Sequence, residues 1–204
     1  MAVFVTVGTT SFDELIQVIN AKKFHQALWD LGYRKLFIQY GSGTVEPSLS
    51  GSPLEVDAFR YRMNLDPIFS ASSLVISHGG AGSCMEALSP PGLRKLIIVI
   101  NENLMDNHQR ELAFTLHEGK HAFVSPVKYL YEFVSTGKQA PFLECQVIAS
   151  VLHLRQNEVL REGEPVLLGA STKPESVGLI PFHRGNGSLL IDFLNGLLGI
   201  SCTT

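Results

Sequence analysis

Leu74-Val75-Ile76-Ser77-His78-Gly79-Gly80-Ala81-Gly82-Ser83 decides the fold class of this chain. A short apolar run, Leu74 to Ser77, stops at three glycines within four positions, and helix-compatible residues then run from Ala81 to Leu88. That is a strand, a tight turn and a helix, with the strand apolar on both of its faces. The same grammar recurs on either side. Upstream, Val3-Phe4-Val5-Thr6-Val7 stops at Gly8, and a helix capped by Ser11 is expected through Leu15, Ile16, Ile19, Ala27 and Leu28 to Gly32. Lys35 to Tyr40 is a second strand, Val56 to Tyr61 a third, and Asn64 to Ser70 a short helix. Downstream, Leu96 to Ile100 is a strand, Asp106 to His117 a helix ending at Gly119, and His121 to Ser125 a last strand. Apolar strands alternating with helices predict an α/β, Rossmann-like parallel sheet with helices on both faces.

The alternation ends near residue 126. Val127 to Gly178 carries no such pattern, apart from helical spacing at Leu143, Val147, Val151 and Leu154. Glu162 to Ser176 reads as a loop, and Ser188 to Leu198 as a short, very apolar helix. The expected organisation is a domain over 1–126, an unplaced insertion or variable segment over 127–176, and a C-terminal segment over 177–204. The helix in that last segment would pack on the domain or dock on a partner.

Composition narrows the function. The 204 residues carry 16 Lys+Arg against 19 Asp+Glu, a net charge of −3 without a basic face, which argues against nucleic acid as a partner. No apolar run approaches the ~18 residues of a membrane span, and the first residues lack the charged start of a signal peptide. Three cysteines, Cys84, Cys145 and Cys202, fit neither a disulfide framework nor a zinc site. The expectation is a soluble protein of a reducing compartment, with no metal and no cofactor.

Ligands of open parallel sheets bind where strands feed into helices. Three such turns stand out: Gly8-Thr9-Thr10, His78 to Ser83, and Asn101 to Gln109. Glycine lets main-chain N–H groups turn towards an anion, and a helix start adds partial positive charge. Gly79, Gly80, Ala81 and Gly82 therefore fit a phosphate, with Ser83 adding a hydroxyl and Glu86 placed for a ribose diol. A turn that needs glycine for packing alone fits the same residues. Asn107, His108 and Gln109 suit sugar hydroxyls, or an ordinary capped first turn. The P-loop pattern G-x-x-x-x-G-K-[ST] is missing, and so is the G-x-S-x-G that an esterase reading of His78-Gly79-Gly80 would require. The glycines match G-x-G-x-x-G loosely and follow the fourth strand instead of the first, which disfavours an NAD-binding oxidoreductase. No D-x-D pair exists to carry a divalent ion on a diphosphate.

Val3 to Asp13, Leu74 to Ser83 and Asn101 to Gln109, in that order, resemble the cytosolic catalytic subunit of the eukaryotic UDP-N-acetylglucosamine transferase of dolichol-linked oligosaccharide synthesis. Over about residues 2–126 the chain is also similar to the donor-binding, C-terminal half of the bacterial lipid-linked N-acetylglucosaminyltransferase of peptidoglycan synthesis. The resemblance implies half of a GT-B enzyme. It would transfer N-acetylglucosamine from UDP-N-acetylglucosamine to N-acetylglucosaminyl-diphosphodolichol, inverting and metal-independent, with a membrane-anchored partner subunit at the cytosolic face of the endoplasmic reticulum. It implies that Gly8, Thr9, Thr10, His78, Gly79, Gly80, Ala81, Gly82 and Ser83 hold the diphosphate, and Glu86 the ribose. Asn107, His108 and Gln109 would face the donor sugar, and Tyr61 and Arg62 the uracil. The general base belongs to the other half in the bacterial relative, leaving His78 and His108 as the candidates on this chain. A non-catalytic nucleotide-sugar-binding isoform is the alternative that 127–176 raises.

Overall fold

The computed structural model describes residues 1–47, 50–101, 107–138, 165–166 and 168–182, with the main chain alone at 107 and 108. The strands are β1 (Ala2–Thr6), β2 (Lys35–Gln39), β3 (Glu55–Phe59), β4 (Ser72–Ser77), β5 (Lys95–Ile100) and β6 (Phe123–Pro126). The helices are α1 (Asp13–Asn20), α2 (Lys22–Asp30), α3 (Asp66–Ala71), α4 (Ala81–Ala87), α5 (Asn107–Glu118) and α6 (Leu130–Thr136). The strands lie in the order β3-β2-β1-β4-β5-β6, and every neighbouring pair is parallel. This is the doubly wound order in which the winding reverses between the first and fourth strands.

The pleat sorts each strand's side chains into two cores. Val3, Val5, Ile97 and Val99 join Leu15, Ile16, Phe24 and Leu28 of α1 and α2 on one face. Phe4, Val75, Leu96, Ile98 and Ile100 join Phe69, Cys84 and Leu112 on the other. Apolar strands are required because helices cover both faces. The elements expected from the sequence are present to within two or three residues at their ends.

The exceptions have local causes. The single helix expected from Ser11 to Gly32 is two helices, separated at Ala21, whose backbone is extended (φ −66°, ψ 128°). A continuous helix would carry the stripe of Leu15, Ile16 and Ile19 on to Lys22, Lys23 and Gln26. The break resets the phase, so those three are exposed while Phe24, His25 and Leu28 are buried. The expected Ser11 cap is corrected too. Phe12 is the capping residue and no side chain caps the helix, which instead carries Asp13 and Glu14 in its first turn.

Within 127–176, α6 buries Leu130, Phe133 and Val134 in the core of α1 and α2. Residues 168–182 then cross the N-terminal ends of the strands. The Tyr33 hydroxyl donates to Leu168 O (2.8 Å), and the Lys95 Nζ to Gly169 O (2.7 Å) and Thr172 O (2.6 Å). Ile180 N donates to Lys120 O (2.7 Å). Burial pushes the Lys95 amine down to about 8. This strap lies at the pole opposite the strands' C-terminal ends. The helical spacing at 143–154 and the apolar helix at 188–198 lie outside the described residues.

Candidate functional site

At the reversal point, the loops after β1 and β4 lie side by side. They are joined through the end of β1. Thr6 Oγ1 accepts from Gly8 N (3.0 Å) and donates to Gln39 Oε1 (2.7 Å). Thr6 O accepts from the main-chain N of His78 (3.1 Å) and faces its Nδ1 (3.2 Å). Gly79 adopts φ 86°, which a side chain would strain. Gly80 then sets the start of α4 with an ordinary φ of −65°.

The His78 ring is sandwiched between the two glycine turns. A Cβ on Gly8 would stand 2.9 Å from its Cε1, and a Cβ on Gly80 2.6 Å from its Nε2. Packing and ligand readings of these glycines therefore merge: Gly8 and Gly80 make room for a buried side chain that itself borders the site. Gly82 differs, because a Cβ there would meet nothing within 4 Å. It is exposed on the first turn of α4, and Glu86, four residues on and also exposed, shares its face. Ser83 is half-buried beside it.

A cleft of about 120 Å³ opens here, lined by Thr10, Ser11, Phe12, His78, Asn101 and Gln109. The structure thus brings Thr10, His78 and Gln109 together, with Gly8, Thr9, Gly79 and Gly80 in the adjoining loops. Asn107 and His108 are placed on the first turn of α5, their side chains outside the described residues, as is Asp106. Tyr61 and Arg62 follow β3 at the same end of the sheet. Tyr61 is exposed, while Arg62 pairs with both Asp57 oxygens and stacks on Phe59. Ser11, Phe12 and Asn101 are given no ligand-binding role by the sequence. Asn101 carried a signal, being the polar residue that ends an otherwise apolar β5. The loop after β2 is pinned to α1 by Asp13, whose carboxylate accepts from Thr44 N, Thr44 Oγ1 and Val45 N.

Electrostatically, burial pushes the imidazoles of His78, His25 and His117 below their ordinary 6.5, against main-chain hydrogen bonds from Thr6, Ile19 and Ala122 that pull the other way. His25 also leaves Nε2 without a partner. Each resists protonation when folded, so the unfolded chain binds more protons below pH 6.5 and stability falls as pH drops through that value. Asp13, held low chiefly by the Thr44 hydroxyl, adds stability above 3.8 that is lost at still lower pH. The denaturation midpoint should therefore decline from pH 7 to 5, and less so in His25→Leu. A midpoint independent of pH over that range would contradict this. Among the described residues no three His, Cys, Asp or Glu side chains gather to hold a metal ion, and no helix is long and apolar enough to cross a membrane.

Residues 2–130 match the glycosyltransferase family 28 C-terminal domain. The UDP-N-acetylglucosamine transferase subunit ALG13 of Homo sapiens is 46% identical over 129 residues, 63% of this chain. That match spans only 11% of the human protein's length. Among solved structures, MurG of Acinetobacter baumannii superposes with a TM-score of 0.51 at 17% identity, over 74% of this chain and 40% of that one. The solution structure of ALG13 superposes with a TM-score of 0.51 at 22% identity, over 95% and 94%. At these identities the two structures speak to the fold, a GT-B C-terminal-type half domain.

Proposed function

The chain belongs to the glycosyltransferase family 28 C-terminal domain family, and from that premise we propose that it holds the donor in a UDP-N-acetylglucosamine glycosyltransferase completed by a second chain. The observation that carries this reading is the cleft at the reversal point. It has the right chemistry and only part of the right size. A ligand cleft for a molecule of this class encloses roughly 300–1,000 Å³. The ~120 Å³ lined by the described residues is the floor of such a site, and in this reading a second surface completes it. A membrane-anchored partner subunit supplying the acceptor half fits that role.

In this reading the donor-binding unit is 1–126 with α6 packed on it, and 177–204 contributes to partner docking. The first-turn N–H groups of α4, from Ala81, Gly82 and Ser83, have no partner within the helix and are free for the diphosphate. Gly8, Thr9, Thr10, His78, Gly79 and Gly80 line its other side. Glu86 takes the ribose diol, and Asn107, His108 and Gln109 the N-acetylglucosamine. As the bond from C1 to the phosphate oxygen breaks, charge grows on the departing UDP. Preorganised N–H groups stabilise that charge without reorganising and without a metal ion. The acceptor is N-acetylglucosaminyl-diphosphodolichol, attacked with inversion at the cytosolic face of the endoplasmic reticulum, with the general base on the partner.

The test adds this chain to membranes that hold the anchoring partner but lack their own soluble subunit, with labelled UDP-N-acetylglucosamine. Formation of the chitobiosyl lipid is the expected result. Donor binding without transfer would leave a non-catalytic isoform in its place.

Gly82 gives a residue-level check. It serves neither packing nor backbone strain, so Gly82→Ala should stabilise the fold by about 0.5–1 kcal/mol, the helix-interior difference between the two residues. The same methyl stands where the diphosphate approaches, so donor affinity should fall. A higher melting temperature with unchanged affinity would take Gly82 out of the site.

A further inference from the structure

The His78 ring is fixed in one tautomer by what surrounds it. Its Nδ1 lies 3.2 Å from Thr6 O, and a carbonyl oxygen only accepts, so Nδ1 carries the hydrogen. In the neutral ring Nε2 is then a bare lone pair. The ring cannot turn to offer Nδ1 instead, because the close approaches of Gly8 and Gly80 flank it and the residue is 9% exposed. Among the described residues, every other side chain lining the cleft with it, from Thr10, Ser11, Phe12, Asn101 and Gln109, is neutral. The charged residues on the elements packed around it, Asp13 and Glu14 on α1, Glu86 on α4 and Arg110 on α5, do not line the cleft. Asp13 is committed to Thr44 and Val45.

A bare imidazole nitrogen repels a phosphate oxygen, whereas a protonated one donates a charge-assisted hydrogen bond to it. We propose that the nucleoside diphosphate enters this cleft together with one proton, taken from solvent and deposited on Nε2 of His78. The inference rests on the diphosphate-binding reading above and adds to it that donor affinity is set by pH through this residue. The balance is simple: one N–H bond forms, the buffer gives up the proton, and no other bond changes. The free ring's resistance to protonation, caused by burial without help from any neighbouring charge, is the condition that makes the uptake measurable near neutral pH. An arriving anion raises the imidazole's proton affinity.

The experiment is calorimetric titration of the full chain with UDP-N-acetylglucosamine from pH 6 to 8.5. Its diphosphate is esterified at both ends and does not itself titrate in that range. Runs at each pH use two buffers of different ionisation enthalpy. The expected result is an apparent enthalpy that tracks the buffer, with uptake approaching one proton. Affinity should fall by up to about tenfold per pH unit as pH rises. His78→Gln should bind more weakly and with a flat pH profile. Nitrogen-detected NMR of the wild-type ring should show Nε2 passing from bare to protonated when ligand is added, and needs no variant. Binding with buffer-independent enthalpy and a flat profile would overturn the proposal and leave the donor-binding reading in place. No binding at any pH, by the chain alone or with the partner-containing membranes present, would remove both.

Discussion

Gly80→Ala should leave the chain folded and lower its affinity for UDP-N-acetylglucosamine by about 10- to 100-fold, the loss of roughly 1.5–3 kcal/mol expected when a charge-assisted hydrogen bond is removed. Backbone strain cannot be the cause, since φ at Gly80 is −65° and suits any residue. The new methyl would stand 2.6 Å from Nε2 and 2.7 Å from Cε1 of His78. Towards Gly8 the ring has only the space left by the missing Cβ, which would stand 2.9 Å from Cε1. It must rotate, giving up Thr6 O and carrying Nε2 out of the cleft. The structural cost is the Thr6 hydrogen bond, about 0.5–1.5 kcal/mol. The functional cost is the loss of the His78 imidazole from the cleft floor. Calorimetry with the same ligand measures the second, and thermal unfolding the first. Adding His78→Ala removes the ring that the methyl displaces, so the losses of affinity from the two substitutions should not add. Donor affinity equal to that of the parent in Gly80→Ala would show that His78 does not need its place.

That pair also marks how far the sequence can be read. The strand of Leu74 to Ile76, the glycines after it and the helix from Ala81 are a local pattern, and they were legible because each neighbour within ten residues agrees with the same fold. The position of the cleft followed from topology, since an all-parallel sheet must reverse its winding somewhere. What holds the cleft together was not legible. Thr6 and His78 are 72 residues apart, and nothing in either neighbourhood says that one carbonyl will serve both the main-chain N and the Nδ1 of the other. The break at Ala21 is of the same kind. Locally Asp13 to Asp30 favours one helix, and only the sheet's demand to bury Phe24 and Leu28 forces the interruption. Ser11 misled for the opposite reason: its side chain is a good cap in isolation, but it lines the cleft while Phe12 takes the capping position. Lys95 stands in the sequence just before the apolar run of Leu96 to Ile100. It is fully buried because its acceptors, Gly169 and Thr172, arrive from more than seventy residues downstream.

Its neighbour Arg94 carries the largest expected effect on stability. Only 7% exposed, it donates through Nε to Phe69 O (2.7 Å) and through Nη1 to Ser89 O, Ala87 O (3.4 Å) and Glu86 O (3.5 Å). At the end of α3 and just past α4, Phe69 O also accepts from Ser72 N and Glu86 O from Ser89 N, and Arg94 adds a donor to each and to Ala87 O and Ser89 O. One planar guanidinium answers both ends, which a lysine's compact ammonium cannot do. Arg94→Met keeps the apolar stem and removes these donors, leaving Phe69 O to Ser72 N and Glu86 O to Ser89 N while Ser89 O loses its short bond. Losing two short bonds from a charged donor, one of them to a carbonyl that keeps a second partner, sets a loss of roughly 2–4 kcal/mol. For a chain of this size that is a melting temperature lower by about 5–15 °C. Arg94→Lys should fall between Arg94→Met and the parent, recovering one helix end and not the other. The consequence extends to the site, because Glu86 belongs to the turn that Arg94 ties down. Donor affinity in Arg94→Lys, measured well below its melting temperature, should drop while His78 still takes up its proton. That separates a displaced Glu86 from a collapsed cleft. A melting temperature for Arg94→Met within 2 °C of the parent would mean that water reaches these carbonyls when the guanidinium is gone, and that the two helix ends do not depend on it.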